Sequence, residues 1–143
     1  MKHNGLICVN PVILGLALAL ASSSALARST GMVEPPPVTT QCEMSNADMI
    51  DSIVSGGSVR GWRPVTKTPG IVELRYIKGA NKHSLTVNVA FTKNTFAVIY
   101  KDSTNLNYKV KKNGVRVIHP RPIGWMSNLS FDIESKTFAH CAK

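Results

Sequence analysis

Residues 71–100 read IVELRYIKGANKHSLTVNVAFTKNTFAVIY, and the fold is decided there. Val72, Leu74 and Tyr76 alternate with Glu73 and Arg75; Leu85, Val87, Val89 and Phe91 alternate with Thr86, Asn88 and Ala90; Phe96, Val98 and Tyr100 alternate with Ala97 and Ile99. A period of two sends successive side chains to opposite faces, so each run is a strand with one apolar face and one mostly polar face. Turn formers separate the runs: Thr68-Pro69-Gly70, Lys78-Gly79-Ala80-Asn81 and Thr92-Lys93-Asn94. Connections this short join antiparallel neighbours. An earlier strand over Trp62–Lys67 contains Pro64, which has no N–H to give a ladder and so places that strand at an edge. The expectation is a four-stranded antiparallel meander whose apolar face needs a cover.

Both flanks offer that cover. Ser45-Asn46-Ala47-Asp48 has the form of a helix cap with an acid at the third helical position, and Ala47, Ile50, Ile53 and Val54 follow at helical spacing. Gly56-Gly57 is expected to end this first helix, with Met44 and Met49 as packing residues. Downstream, Pro120 and Pro122 forbid an earlier helix start, and Trp125, Leu129, Ile133 and Phe138 form one stripe. Asn128, Asp132, Lys136 and His140 are assigned to the solvated face. The fold class is therefore α+β: a two-layer sandwich of N-terminal helix, four-stranded antiparallel meander and C-terminal helix. Its expected domain spans residues 42–143, preceded by a flexible tail over 28–41 carrying Pro35-Pro36-Pro37.

Residues 1–27 read as a cleaved signal peptide. Lys2 and His3 precede an apolar run from Val12 to Ala21, and Ala25-Leu26-Ala27 is a small-x-small cleavage pattern. The run is well short of the ~20 residues of a spanning helix, so no membrane span is expected after processing. The mean hydropathy of +0.00 averages this apolar beginning with a polar remainder. Removing Lys2 with the leader takes 17 basic residues to 16, against 8 acidic ones. Cys42 and Cys141 then form an even pair, which in an exported chain reads as a disulfide, with free thiols and zinc as alternatives. Antiparallel helices would bring the two within bonding distance.

Signatures of catalysis are missing from the sequence. His83, His119 and His140 make no H-E-x-x-H or H-x-H pattern, and there is no G-x-S-x-G or phosphate-cradling glycine loop. Glu73 and Asp102 are the only carboxylates on the predicted sheet, with no evident partner. The chain is accordingly expected to be no enzyme and to call for no cofactor or metal. The densest constellation is Tyr100-Lys101-Asp102-Ser103-Thr104-Asn105-Leu106-Asn107-Tyr108, a strand end running into a polar loop closed by an aromatic. It reads as a recognition loop, since Tyr and Asn give rigid contact area and adaptable hydrogen bonds, and equally as a hairpin bonded to its own backbone.

With Gly61-Trp62, Pro69-Gly70, Ile118-His119, Trp125, Asn128-Leu129 and Ile133, that Y-K-D-S-x-N-L-N-Y run resembles an uncharacterised family of small exported bacterial α/β proteins, among them lipoproteins. The resemblance covers roughly Gly61 to Ile133 and implies an envelope location and a small α/β fold, without an activity. The chain departs from it in having no lipidation cysteine behind the leader and in Pro120-Arg121-Pro122.

The functional expectation is a non-catalytic, periplasmic protein-binding module, in its most concrete form an inhibitor or immunity protein that neutralises a secreted or cell-wall-degrading toxin. Tyr100, Lys101, Asp102, Asn105, Asn107 and Tyr108 would fill the partner's cleft, with Lys101, Lys111 and Arg116 steering an acidic surface toward it. The alternative is an accessory envelope protein holding an anionic polymer through its basic surface. Nucleic acid is not an expected partner.

Overall fold

The computed structural model describes residues 28–143; the signal-peptide reading of residues 1–27 lies outside them. Eight strands and two helices follow in the order β1 (Thr30–Gly31), β2 (Val38–Thr39), α1 (Asn46–Ser58), β3 (Arg63–Thr68), β4 (Ile71–Lys78), β5 (His83–Phe91), β6 (Thr95–Thr104), β7 (Lys109–Val110), β8 (Arg116–Ile118) and α2 (Pro120–Cys141). The expected meander is strands β3 to β6, and the α+β class holds. The sheet has five strands rather than four, because β2 adds to β6 in the order β2-β6-β5-β4-β3. A second, three-stranded sheet in the order β1-β8-β7 closes one end. Residues 28–41, expected as a flexible tail, are thus pinned twice: Thr30 pairs with Ile118 and Val38 with Phe96. Polyproline geometry is already extended, so the proline run can carry the chain from one sheet edge to the other without a helix or turn.

Edge placement of β3 agrees with Pro64, beside which the ladder slips between Pro64 and Thr66. A second slip, between Thr86 and Val87, matters more. Val87 faces Tyr100 while Thr86 faces Asp102, so Lys101 is an extra residue on β6. The bulge reverses the alternation: Ser103, opposite Leu85, returns to the inner face with Tyr100, and Asp102, opposite Thr86, turns to the outer face beside Lys101. The strand also runs on to Thr104, four residues beyond the end its periodicity suggests.

The inner face buries Val72, Leu74, Leu85, Val87, Val89, Phe96 and Val98 against Met49, Ile53, Met126, Leu129 and Ile133 of the two helices, as one cluster. Ser45 caps α1 by accepting the Asp48 N–H at 3.1 Å. Gly56 and Gly57 do not end α1, which continues through Ser58; both are buried where the helix meets α2 and the sheet. On α2 the buried stripe is Pro122, Met126, Leu129, Ile133 and Thr137, turned from the predicted one, with Trp125 partly buried and Phe138 exposed. Asp132, assigned above to solvent, is buried and accepts a hydrogen bond from Arg60 Nε at 2.7 Å. The helices run antiparallel, with Asp48 opposite His140 at 3.9 Å, and Cys42 and Cys141 form a disulfide with Cα atoms 5.6 Å apart. No helix among the described residues is long and apolar enough to cross a membrane.

Candidate functional site

Where β6 leaves the sheet, residues 100–108 make one wall of a shallow cleft of about 420 Å³, with Arg116 opposite. The loop proper is only Asn105-Leu106-Asn107-Tyr108, and Asn105, Leu106 and Tyr108 tie it down. Asn105 and Asn107 both have φ +56°, a left-handed conformation that asparagine tolerates because its short side chain bonds locally. Asn105 Nδ2 donates to the Lys82 carbonyl at 2.6 Å, and His83 Nδ1 meets the Asn105 carbonyl at 3.0 Å. Leu106 is buried in the core, and its carbonyl accepts the His119 N–H at 2.8 Å. Tyr108 stacks on Tyr100 with ring centres 4.4 Å apart, and the Tyr100 hydroxyl bonds Ser103 Oγ at 2.9 Å.

Glu34, set aside at the sequence level as a tail residue, joins two residues of this cleft, Tyr100 and Arg116. Its Oε1 accepts the Tyr100 N–H at 3.0 Å, on the edge of β6 that β2 no longer covers. The same carboxylate receives both terminal nitrogens of Arg116, at 3.2 and 3.3 Å. A carboxylate therefore finishes a strand edge, and a two-pronged guanidinium fixes the carboxylate. These hydrogen bonds and the opposite charge push Arg116 above its ordinary pKa. Burial pushes the Tyr100 phenol above the ordinary tyrosine range, with the Ser103 hydrogen bond pulling the other way. A raised folded-state value means that Tyr100 contributes stability that is present below its unfolded pKa of 10.0 and is lost as pH rises through the folded value.

Of the predicted contact residues, the structure brings Tyr100, Lys101, Asp102, Asn105, Asn107, Tyr108 and Arg116 to this cleft. Lys111 is not among them; it sits exposed in the β7–β8 turn, where its N–H bonds the Val115 carbonyl at 2.9 Å. Glu73, read above as unpartnered, holds Lys101 Nζ at 2.6 Å across the outer face of the sheet. Two of the three cations expected to steer a partner are therefore already paired. Sequence reasoning also missed the aromatic row Trp62–Tyr76–Trp125, with ring centres 5.3 and 5.1 Å apart. Among the described residues no three His, Cys, Asp or Glu side chains converge as a metal site would require.

Glu34 gives a direct test of this arrangement. Glu34→Ala is expected to cost about 1–2 kcal/mol in denaturant unfolding, since it leaves an edge N–H and a guanidinium without their acceptor, and Glu34→Gln about half of that. Amide exchange at Tyr100 should accelerate in the alanine variant and stay protected in the glutamine one. Equal protection in both would mean that the Glu34 side chain does not finish this strand edge.

No family model matches the chain, and no curated protein or solved structure is significantly similar to it.

Proposed function

We propose that the protein is a non-catalytic protein-binding module of the bacterial periplasm, exported by a cleaved leader, and that residues 100–108 with Arg116 form its contact surface. The observation that supports this reading most is the stapling of the loop: Leu106 in the core, two left-handed asparagines bonded or turned in place, and a stacked tyrosine pair. A loop ordered before binding loses little conformational entropy when a partner arrives, and tyrosine is a favoured hot-spot residue. The most concrete form of the reading is an inhibitor or immunity protein that occupies the cleft of a secreted lytic toxin. The resemblance to small exported α/β proteins belongs to the same proposal.

The exposed Lys109, Lys111 and Lys112 around the β7–β8 hairpin favour a second reading, an accessory envelope protein holding an anionic polymer. Salt and substitution separate the two. On the first reading, Tyr108→Ala weakens partner binding by about 2 kcal/mol, roughly thirty-fold, with only moderate salt dependence. On the second, added salt abolishes binding and the substitution has little effect. The experiment is a pull-down from envelope extract with the oxidised protein and, in parallel, its Tyr108→Ala variant, followed by assay of the captured protein's lytic activity with and without added module. Loss of a stoichiometric, inhibited partner in the variant supports the inhibitor reading; recovery of glycan alone by both baits counts against it.

A further inference from the structure

Asn105 and Leu106 turn one side toward the tyrosine cleft and the other toward a second cleft, of about 480 Å³. Its remaining walls come from the β4–β5 hairpin, with Lys78 and His83, and from the start of α2, with His119, Arg121 and Trp125. The charged and titratable side chains that line it are all cations or imidazoles. Arg60, Lys101 and Arg116 each hold a carboxylate; Lys78 and Arg121, like most other cations of the described residues, pair with none, and here two of them share a cleft with imidazoles and an indole.

The hydrogen bonds around the cleft also fix what its imidazoles offer. The Asn105 carbonyl can only accept, so His83 carries a proton on Nδ1. His119 Nδ1 receives the Arg121 N–H at 3.3 Å, which leaves the ring proton on Nε2, a donor even when the imidazole is neutral. The apolar part of the wall is Leu106 and the partly buried Trp125, whose ring meets Tyr76 edge-on. Lys78 Nζ lies 5.9 Å from the centre of the Trp125 ring, at the outer reach of cation–π attraction, so the ammonium can leave the ring for a better counter-charge at small cost.

We propose that this cleft binds a monosaccharide unit bearing one oxyanion, phosphate or carboxylate. The oxyanion sits among Lys78, Arg121 and the His119 Nε2–H, and the C–H face of the sugar lies on Trp125. A bare anion would leave the aromatic wall unused, and a neutral sugar would leave the two cations without a counter-charge. The volume falls within the ~300–1,000 Å³ of small-molecule sites. The site shares a wall with the tyrosine cleft but uses other side chains, so it does not depend on the protein-binding reading above.

Titration of the oxidised protein with glucose 6-phosphate, glucuronate, glucose and inorganic phosphate at constant ionic strength tests the proposal through tryptophan fluorescence and amide chemical shifts. Trp62 is buried, so a saturable fluorescence change reports Trp125 and is expected to vanish in Trp125→Phe. Glucose 6-phosphate or glucuronate should bind at least ten-fold more tightly than glucose or inorganic phosphate. Lys78→Gln and Arg121→Gln should each weaken that binding about ten-fold, while Lys67→Gln and Lys93→Gln, at the opposite end of the sheet, leave it unchanged. Tighter binding of a short oligouronide than of glucuronate assigns the site to a unit within a glycan; the reverse assigns it to a free sugar acid. Equal affinity for inorganic phosphate and glucose 6-phosphate, or equal weakening by the distant lysine variants, reduces the effect to general counter-ion attraction and overturns the proposal.

Discussion

Replacing Cys42 and Cys141 together by serine is expected to lower the stability of the fold by ~4–5 kcal/mol, because the bond they form joins residues 99 apart in sequence. A cross-link of that span removes a large share of the conformations open to the unfolded chain, and the chain-entropy model credits loops of about 100 residues with this amount. For a domain of this size the loss corresponds to roughly 15–20 °C in Tm. The serine variant should therefore unfold at a markedly lower guanidinium concentration, and the wild-type protein should follow it once a reductant is present. Coincident midpoints for oxidised and reduced protein would show that α1–α2 packing, and not the bridge, holds the termini together. The effect is large relative to the whole, since domains are stable by only ~5–15 kcal/mol.

Gly56→Ala should also destabilise strongly, against the direction that helix propensity alone predicts. In an unobstructed helix interior, alanine gains up to about 1 kcal/mol over glycine. A Cβ on Gly56, however, would lie 2.7 Å from Ile133 Cα and 2.8 Å from Ile133 N, which are main-chain atoms of α2 that cannot rotate away. The helices must then separate along the contact that buries Ile53 and Leu129, at a cost of about 2–3 kcal/mol or more. Gly124→Ala, on the same α2, is the matched control: nothing lies within 4 Å of its Cβ, so it should stabilise by about 0.5–1 kcal/mol. Gly57→Ala should fall between them, because its nearest neighbour, at 3.0 Å, is Leu74 Cδ1, the far end of a side chain rather than main chain. Thermal unfolding of the three variants orders them; a stabilised Gly56→Ala would mean that the helices do not cross this closely.

The sheet was legible because alternation over Val72–Tyr76, Leu85–Phe91 and Phe96–Tyr100 reports burial directly, and short turns leave little topological choice. Gly56-Gly57 misled because glycine has two uses: it ends helices, and it lets two backbones approach; only the partner helix tells which applies. The phase of α2 slipped for a related reason. Trp125 is the largest apolar side chain near the helix start, yet Met126 takes the core position and Trp125 packs sideways on Tyr76. Of the candidate site, the side chains of residues 100–108 were visible as composition. The bulge at Lys101 and the carboxylate of Glu34 were not, since both depend on partners 14 to 66 residues away, Thr86 and Val87 in one case and Tyr100 in the other. Glu34 carried no local signal at all beyond being an acid beside three prolines.

The Cys42–Cys141 bond also has a mechanical meaning. A pull applied at the two ends of the folded chain first peels the two-residue strands Thr30–Gly31 and Val38–Thr39 from their partners, then frays the last residues after α2. It then arrives at a covalent bond, and the tension passes from one end to the other without entering the meander or the helices between. Loaded in that way, the protein yields a short fixed length and stops, like a carabiner closed on its own strap.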